Sequence, residues 1–231
     1  MKVFIGYDPN EPVAYYVLAH SIMRHATRPV SITPLALHQL PMTRARDPRQ
    51  STEFSFSRFL VPYLCSYEGY AVFMDSDMLC RADITELLAG IDPNDAVSVV
   101  KHDYVPSTET KFLDNEQAKY KRKNWSSLMV FNNAKCMALT PAYVNTASGM
   151  QLHQFQWMAD DLIGDIDVAW NHLVTEYQPN PWAKLVHYTL GTPCFAKYSE
   201  CEFAKEWRKE LYLMTYHNRL GEYSLPERVT A

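Results

Sequence analysis

The sequence has 231 residues, of which 47% are hydrophobic and 21% are charged, and its formal net charge is −4 at pH 7. This composition is typical of a globular protein, and the slightly acidic charge argues against a broad nucleic-acid-binding surface. With only 7 glycines and no Gly-x-Gly-x-x-Gly or Walker pattern, a glycine-rich phosphate loop is not expected.

Cysteine usage and the beginning of the chain bear on where the protein works. The 5 cysteines are odd in number and form no Cys-x-x-Cys pair, which favours reduced thiols. Residues 1–6 are too short for a signal peptide, and no window approaches the roughly 18 apolar residues of a transmembrane segment. We therefore expect one domain over residues 1–231, in a cytoplasmic protein that is at most peripheral to a membrane.

Short apolar strands alternate with helices along the first half of the chain. A proline at the first turn predicts a helix from Pro12 to about Ala26. This alternation indicates an α/β fold of the Rossmann-like type, with a mostly parallel central sheet flanked by helices. Strands are predicted at residues 3–5, 29–35, 71–74, 96–100 and 128–131, and further helices at 53–66, 83–90, 151–163, 168–176 and 201–213.

Two carboxylates, Asp75 and Asp77, directly follow the apolar run at residues 71–74. In an extended segment residues i and i+2 face the same side, so the two carboxylates should converge while Ser76 turns away. Close carboxylates repel unless they share a proton or a cation, and Mg²⁺ or Mn²⁺ suits such oxygen ligands. Capping of the following turn explains the pair equally well at this point.

The position of this pair relative to the predicted sheet favours a binding site. Ligands of open α/β sheets bind beyond the carboxyl ends of the strands, and Asp8 follows the first strand as Asp75 follows a central one. A second copy of the motif, Asp165-Ile166-Asp167, has no apolar strand before it in the sequence, so we do not expect a metal there.

Five segments occur along the chain in an order that resembles one enzyme family. They are residues 3–8, 55–62, 72–77, 124–132 and 187–193, which span most of the chain. Together they resemble the glycosyltransferases of the GT-A fold, particularly family 8 and its bacterial and viral relatives. The resemblance implies a single GT-A-type domain and a metal-dependent transferase of the hexosyltransferase kind.

The resemblance also implies a donor, an acceptor, a metal and their residues. The donor is a nucleotide diphosphate sugar, with a UDP-sugar expected, and the acceptor is a saccharide, a lipid-linked glycan or another hydroxyl compound. The metal, Mn²⁺ or Mg²⁺, is expected on Asp75, Asp77 and His187. The residues expected to bind the donor are Tyr7, Asp8, Arg58, Asp75, Ser76, Asp77, Ser126, Ser127 and Gly191. Asp161 is the first choice for a catalytic carboxylate and Asp160 the second, because residues 156–161, followed by Trp170-Asn171, resemble the segment that borders the acceptor.

The motif at residues 187–193 departs from the family pattern, and two other functions stay open. Where the family has a lysine for the diphosphate, the chain has Pro193, and Lys184, Lys197 and Arg58 are the nearby substitutes. A nucleotidyltransferase acting on sugar phosphates would also use paired carboxylates with Mg²⁺, although it usually has a glycine- and lysine-rich loop after the first strand. A non-catalytic carbohydrate-binding module is the other alternative.

Overall fold

A computed structural model describes residues 1–46, 50–103 and 121–215 of the chain. Within these residues the helices are α1 (Pro12–His25), α2 (Val61–Leu64), α3 (Pro141–Thr146), α4 (Gly149–His153) and α5 (Ala204–Thr215). The strands are β1 (Lys2–Gly6), β2 (Ser31–Leu35), β3 (Tyr70–Met74), β4 (Met78–Cys80), β5 (Val97–Val99), β6 (Leu128–Asn132), β7 (Ile163–Asp165), β8 (His172–Leu173) and β9 (Leu185–His187). No helix among the described residues is long and apolar enough to cross a membrane.

Six strands form the central sheet in the order β2-β1-β3-β6-β5-β7. β1 is parallel to both β2 and β3, and β5 is parallel to β7, whereas β6 is antiparallel to its neighbours β3 and β5. All strands except β6 therefore run in one direction, which confirms the predicted mostly parallel sheet. Their carboxyl ends, including those of β1 and β3, meet at one edge.

Both faces of this sheet are buried, as expected for a sheet flanked by helices. Phe73 and Phe131 pack into one apolar cluster, and the adjacent residues Val72 and Val130 pack into a second cluster that includes Leu18 of α1. α1 has Pro12 at its first position and buries its apolar face there, so the prediction of this helix is confirmed.

A second, three-stranded sheet with the order β4-β9-β8 was not predicted from the sequence. β4 begins directly after Asp77 and pairs antiparallel with β9, with Met78 opposite His187. The backbone amide of Tyr188 also donates to the carbonyl oxygen of Asp77 at 2.9 Å. This pairing brings His187 beside the two aspartates from a distant part of the sequence.

Several predicted helices are wrong or only partly right. The segment 53–66 forms a 3₁₀ helix (Ser57–Leu60) followed by the short α2. The helix predicted at 151–163 ends at the first residue of β7, and the helix predicted at 168–176 contains β8. Strands of two or three residues are too short to show a periodicity in the sequence. A basic run such as residues 119–123 usually lies on an exposed surface. Residues 119 and 120 lie outside the described part; Lys121 is exposed, but Lys123 is buried.

Candidate functional site

The structure brings Asp75, Asp77 and His187 together, and each offers one ligand atom within 4.8 Å of the others. Asp75 and Asp77 lie between the end of β3 and the start of β4, with the buried Ser76 between them. The Nε2 atom of His187 lies 3.3 Å from Oδ1 of Asp77 and 4.0 Å from Oδ2 of Asp75. The predicted convergence of the two carboxylates is therefore observed, at the carboxyl edge of the central sheet.

The electrostatics of this cluster favour an added positive charge. Burial lowers the pKa of His187, but the carboxylates of Asp77 and Asp75 outweigh burial and raise this pKa above its usual value. Oδ1 of Asp77 is buried and has no hydrogen-bond partner in the described part of the chain. Two carboxylates and one imidazole that face each other in this way fit a divalent cation such as Mn²⁺ or Mg²⁺.

The other ring nitrogen of His187 is bound to a buried chain of polar groups. Nδ1 lies 3.0 Å from Oδ1 of Asn171, and Nδ2 of Asn171 donates to Oγ of Ser127 at 2.8 Å. Oγ of Ser127 in turn donates to the carbonyl oxygen of Asn124 at 2.6 Å. No sequence pattern linked Asn171 to His187, because the link exists only once β8 and β9 pair.

Arg58 lies inside the site and contacts one of the two aspartates. Its Nη1 atom lies 2.8 Å from Oδ1 of Asp75 and donates to the carbonyl oxygen of Ser126 at 2.8 Å. The guanidinium also lies 4.9 Å from the ring centre of Phe73. The buried Arg58 thus orients Asp75, and direct contact with a donor stays a prediction for this residue.

The turn after β1 holds the next two predicted donor residues. The buried Asp8 accepts from the backbone amide of Asn10 at 2.9 Å and from that of Glu53 at 3.1 Å. Its carboxylate therefore ties this turn to the segment before Arg58. The half-buried ring of Tyr7 packs edge-on against Tyr15 with 5.8 Å between ring centres.

Glu11, which the sequence analysis assigned to no site, is buried near this turn. It occupies the N-cap position of α1, but its side chain forms no capping hydrogen bond. Its carboxyl group instead accepts a hydrogen bond from the hydroxyl of Thr192. Burial raises the pKa of Glu11 to about 7; the bond from Thr192 opposes this rise, and the charges of Asp77 and Asp8 add to it. A glutamate just before a helix is usually exposed, so the sequence carried no sign of this burial.

The loop after His187 contains Gly191, a further predicted donor residue. Gly191 has a φ of +137°, and a Cβ atom at this position would lie 2.7 Å from the ring of Tyr198. Both facts explain why glycine is needed here. Of the substitute cations, Lys184 is paired with Glu86 at 2.7 Å. Lys197 lies 5.4 Å from the ring centre of Tyr198.

The predicted catalytic carboxylates, Asp160 and Asp161, are exposed and lie before the first residue of β7. Asp160 pairs with Arg122 at 2.5 Å. Both carboxylates precede the amino end of β7, whereas Asp75 follows the carboxyl end of β3. Because β7 and β3 run in the same direction, the two ends belong to opposite edges of the sheet. A catalytic role for either stays a prediction.

The second Asp-x-Asp copy needs a correction, because it begins at the end of a strand. Asp165 is the last residue of β7, at the same edge of the sheet as Asp75. Its exposed side chain binds Lys101 at 3.0 Å, and Asp167 accepts from the backbone amide of Ala169 at 2.8 Å. These side chains have ion-pair and capping roles in the structure.

Solved structures of glycosyltransferases are similar to this chain. The galactosyltransferase LgtC matches with a TM-score of 0.62 and 10% identity over 95% of this chain and 98% of LgtC. WbbM, a bifunctional glycosyltransferase, matches with a TM-score of 0.65 and 17% identity over 91% of this chain, which spans 49% of WbbM. GlyE of Streptococcus pneumoniae TIGR4 matches with a TM-score of 0.58 and 13% identity over 91% of this chain and 59% of GlyE. The chain has the GT-A fold, as the sequence resemblance implied.

No family model matches the sequence. A plant protein does match it along most of its length: Protein CDI of Arabidopsis thaliana is 45% identical over 221 residues, which cover 91% of this chain and 85% of Protein CDI. An identity this high over this length shows common descent and a shared fold. The chain belongs to the same family as Protein CDI of Arabidopsis thaliana.

Proposed function

We propose that the protein is a metal-dependent glycosyltransferase that uses a nucleotide diphosphate sugar, with UDP as the nucleotide. The observation that carries the proposal is the meeting of Asp75, Asp77 and His187 at the carboxyl edge of a GT-A sheet. The similarity to LgtC, whose structure was solved with donor and acceptor sugar analogues, supports a sugar donor. The acceptor is a saccharide, either free or linked to a lipid.

Each residue of the cluster has a task in this proposal. Asp75, Asp77 and His187 hold Mn²⁺ or Mg²⁺, and the mixed oxygen and nitrogen ligands favour Mn²⁺. When bound there, the cation would act as a Lewis acid and neutralise the negative charge of the departing diphosphate. Arg58 keeps Asp75 in place through its ion pair.

Residues around this cluster contact the donor and the acceptor. The ring of Tyr7 and the turn held by Asp8 receive the nucleoside, and Ser76, Ser126 and Gly191 line the donor site. The hydroxyl of Ser126 lies 2.8 Å from Nδ1 of His153, so its orientation is set by the protein. Asp161 and Asp160, the predicted acceptor carboxylates, lie outside this group, before the amino end of β7, and their role on the acceptor stays a prediction.

Calorimetry with a panel of nucleoside diphosphates tests this function. We expect UDP to bind in the presence of Mn²⁺ and to bind much more weakly when the metal is removed by a chelator. GDP, ADP and CDP are the matched ligands that show whether uracil is recognised. If none of them binds in a metal-dependent way, the proposal is wrong. Binding of a free saccharide alone would instead favour a carbohydrate-binding module.

A further inference from the structure

We infer that Asn171 and Ser127 are positioning residues that keep the proton of the neutral His187 ring on Nδ1 and so leave Nε2 bare toward Asp75 and Asp77. This inference rests on the proposed function only in taking a divalent cation as the ligand of Nε2. It follows from the direction of three consecutive hydrogen bonds that lead from Asn124 to His187.

The direction of these bonds is set at the end that lies farthest from the histidine. The carbonyl oxygen of Asn124 can only accept, and Oγ of Ser127 lies 2.6 Å from it. The single hydroxyl proton of Ser127 is therefore used in this bond. Toward Asn171, Ser127 can then only accept, so Asn171 must turn its amide nitrogen to the serine, as the 2.8 Å contact shows.

This orientation of the amide decides which ring nitrogen of His187 carries a proton. With Nδ2 of Asn171 turned to Ser127, its oxygen faces Nδ1 of His187 at 3.0 Å. An amide oxygen only accepts, and no water can replace it at the fully buried Asn171, so Nδ1 is the donor. The carboxylates beside Nε2 also only accept, but they are 16% and 21% exposed, so water or a cation can lie between them and a bare Nε2. A neutral imidazole has one ring proton, and its Nε2 then has a free lone pair toward the carboxylates 3.3 and 4.0 Å away.

Burial prevents water from loosening this arrangement. Asn171 is 0% exposed, and Ser127 and His187 are each 2% exposed. The three side chains come from the start of β6, the segment before β8 and the end of β9, so the two sheets must pack correctly for the chain of bonds to form. A histidine whose second nitrogen is fixed in this way is a better-oriented metal ligand.

The inference also changes the role expected for Ser127. Its hydroxyl donates to Asn124 and accepts from Asn171, so its proton is already used within the protein. Ser127 therefore acts through Asn171 and His187, and only its second lone pair is left for the predicted contact with the donor.

The test is ¹⁵N NMR of the His187 ring in the full chain without metal, at a pH where the ring is neutral. We expect Nδ1 to be protonated in the native protein and in Asn171→Asp, because a carboxylate also only accepts. In Asn171→Leu the proton should move to Nε2, where Asp77 can accept it, and the affinity for Mn²⁺ should fall about 10- to 100-fold. Ser127→Ala, which lets the amide turn over, should mix the two tautomers.

A matched control is Asn133→Leu, which removes another fully buried asparagine that bonds the carbonyl oxygen of Glu68. It should leave the His187 tautomer and the Mn²⁺ affinity unchanged. A proton on Nε2 in the native protein, or an unchanged tautomer in Asn171→Leu and Ser127→Ala, would overturn the inference. Absence of Mn²⁺ binding by the native protein would overturn the proposed function alone, since the tautomer is measured without metal.

Discussion

Replacing Asp77 by asparagine is expected to lower the Mn²⁺-dependent affinity for UDP by at least about 100-fold. Loss of a residue that only supports a metal ligand typically lowers metal affinity about 10- to 100-fold, and loss of a ligand itself should lower it no less. The change keeps the side-chain shape and removes one of the two carboxylates that face His187. The melting temperature shows whether the variant is folded, because the change removes both the repulsion between Asp77 and Glu11 and the attraction between Asp77 and His187. Calorimetry and thermal unfolding of the same samples measure both effects.

Asp92→Asn is the matched control for this experiment. It makes the same chemical change at an exposed carboxylate that accepts from the backbone amide of Asn94, a bond that an asparagine oxygen can also accept. UDP binding by Asp92→Asn should equal that of the native protein. If Asp77→Asn also binds UDP with native affinity and metal dependence, Asp77 is not a metal ligand.

Replacing Glu11 by glutamine is expected to stabilise the protein at neutral and alkaline pH. The pKa of Glu11 is raised from 4.5 to about 7 in the folded state, chiefly by burial. The folded protein thus holds a proton that the unfolded chain releases between these values, so stability falls as pH rises through this window. Glutamine carries no charge and can still accept from Thr192, so the variant should not lose stability as the pH rises through this window.

Urea unfolding at two pH values measures this effect. At pH 8 the Glu11→Gln variant should exceed the native protein in free energy of unfolding by on the order of 2–3 kcal/mol. At pH 5 the difference should shrink to below about 1 kcal/mol, because folded Glu11 is then protonated. Glu68→Gln, a change at an exposed carboxylate, should show no such pH dependence. An equal difference at both pH values would mean that Glu11 ionises normally.

The central part of the fold and the aspartate pair could be predicted from local sequence. The strands β1, β3 and β6 are continuous apolar runs, and such runs are typical of a sheet buried on both faces. Asp75 and Asp77 converge because alternate residues of an extended segment share a side. The resemblance to known glycosyltransferases pointed to His187.

The rest of the site depends on contacts between distant segments. β4 and β9 have three residues each, so neither has a recognisable pattern, yet their pairing places His187 beside Asp77. Asn171 and Glu11 are ordinary polar residues in the sequence and become important only because the fold buries them. For Arg58 the sequence leaves both a donor phosphate and an acidic neighbour open as partners, and helix periodicity could not identify Asp75 as the acidic one.

Anomalous diffraction from crystals grown with Mn²⁺ and UDP would locate the metal directly. We expect one manganese peak bounded by a carboxylate oxygen of Asp75, a carboxylate oxygen of Asp77 and Nε2 of His187, with the diphosphate of UDP as a further ligand. UDP bound at this edge of the sheet with no manganese between these three side chains would contradict this expectation.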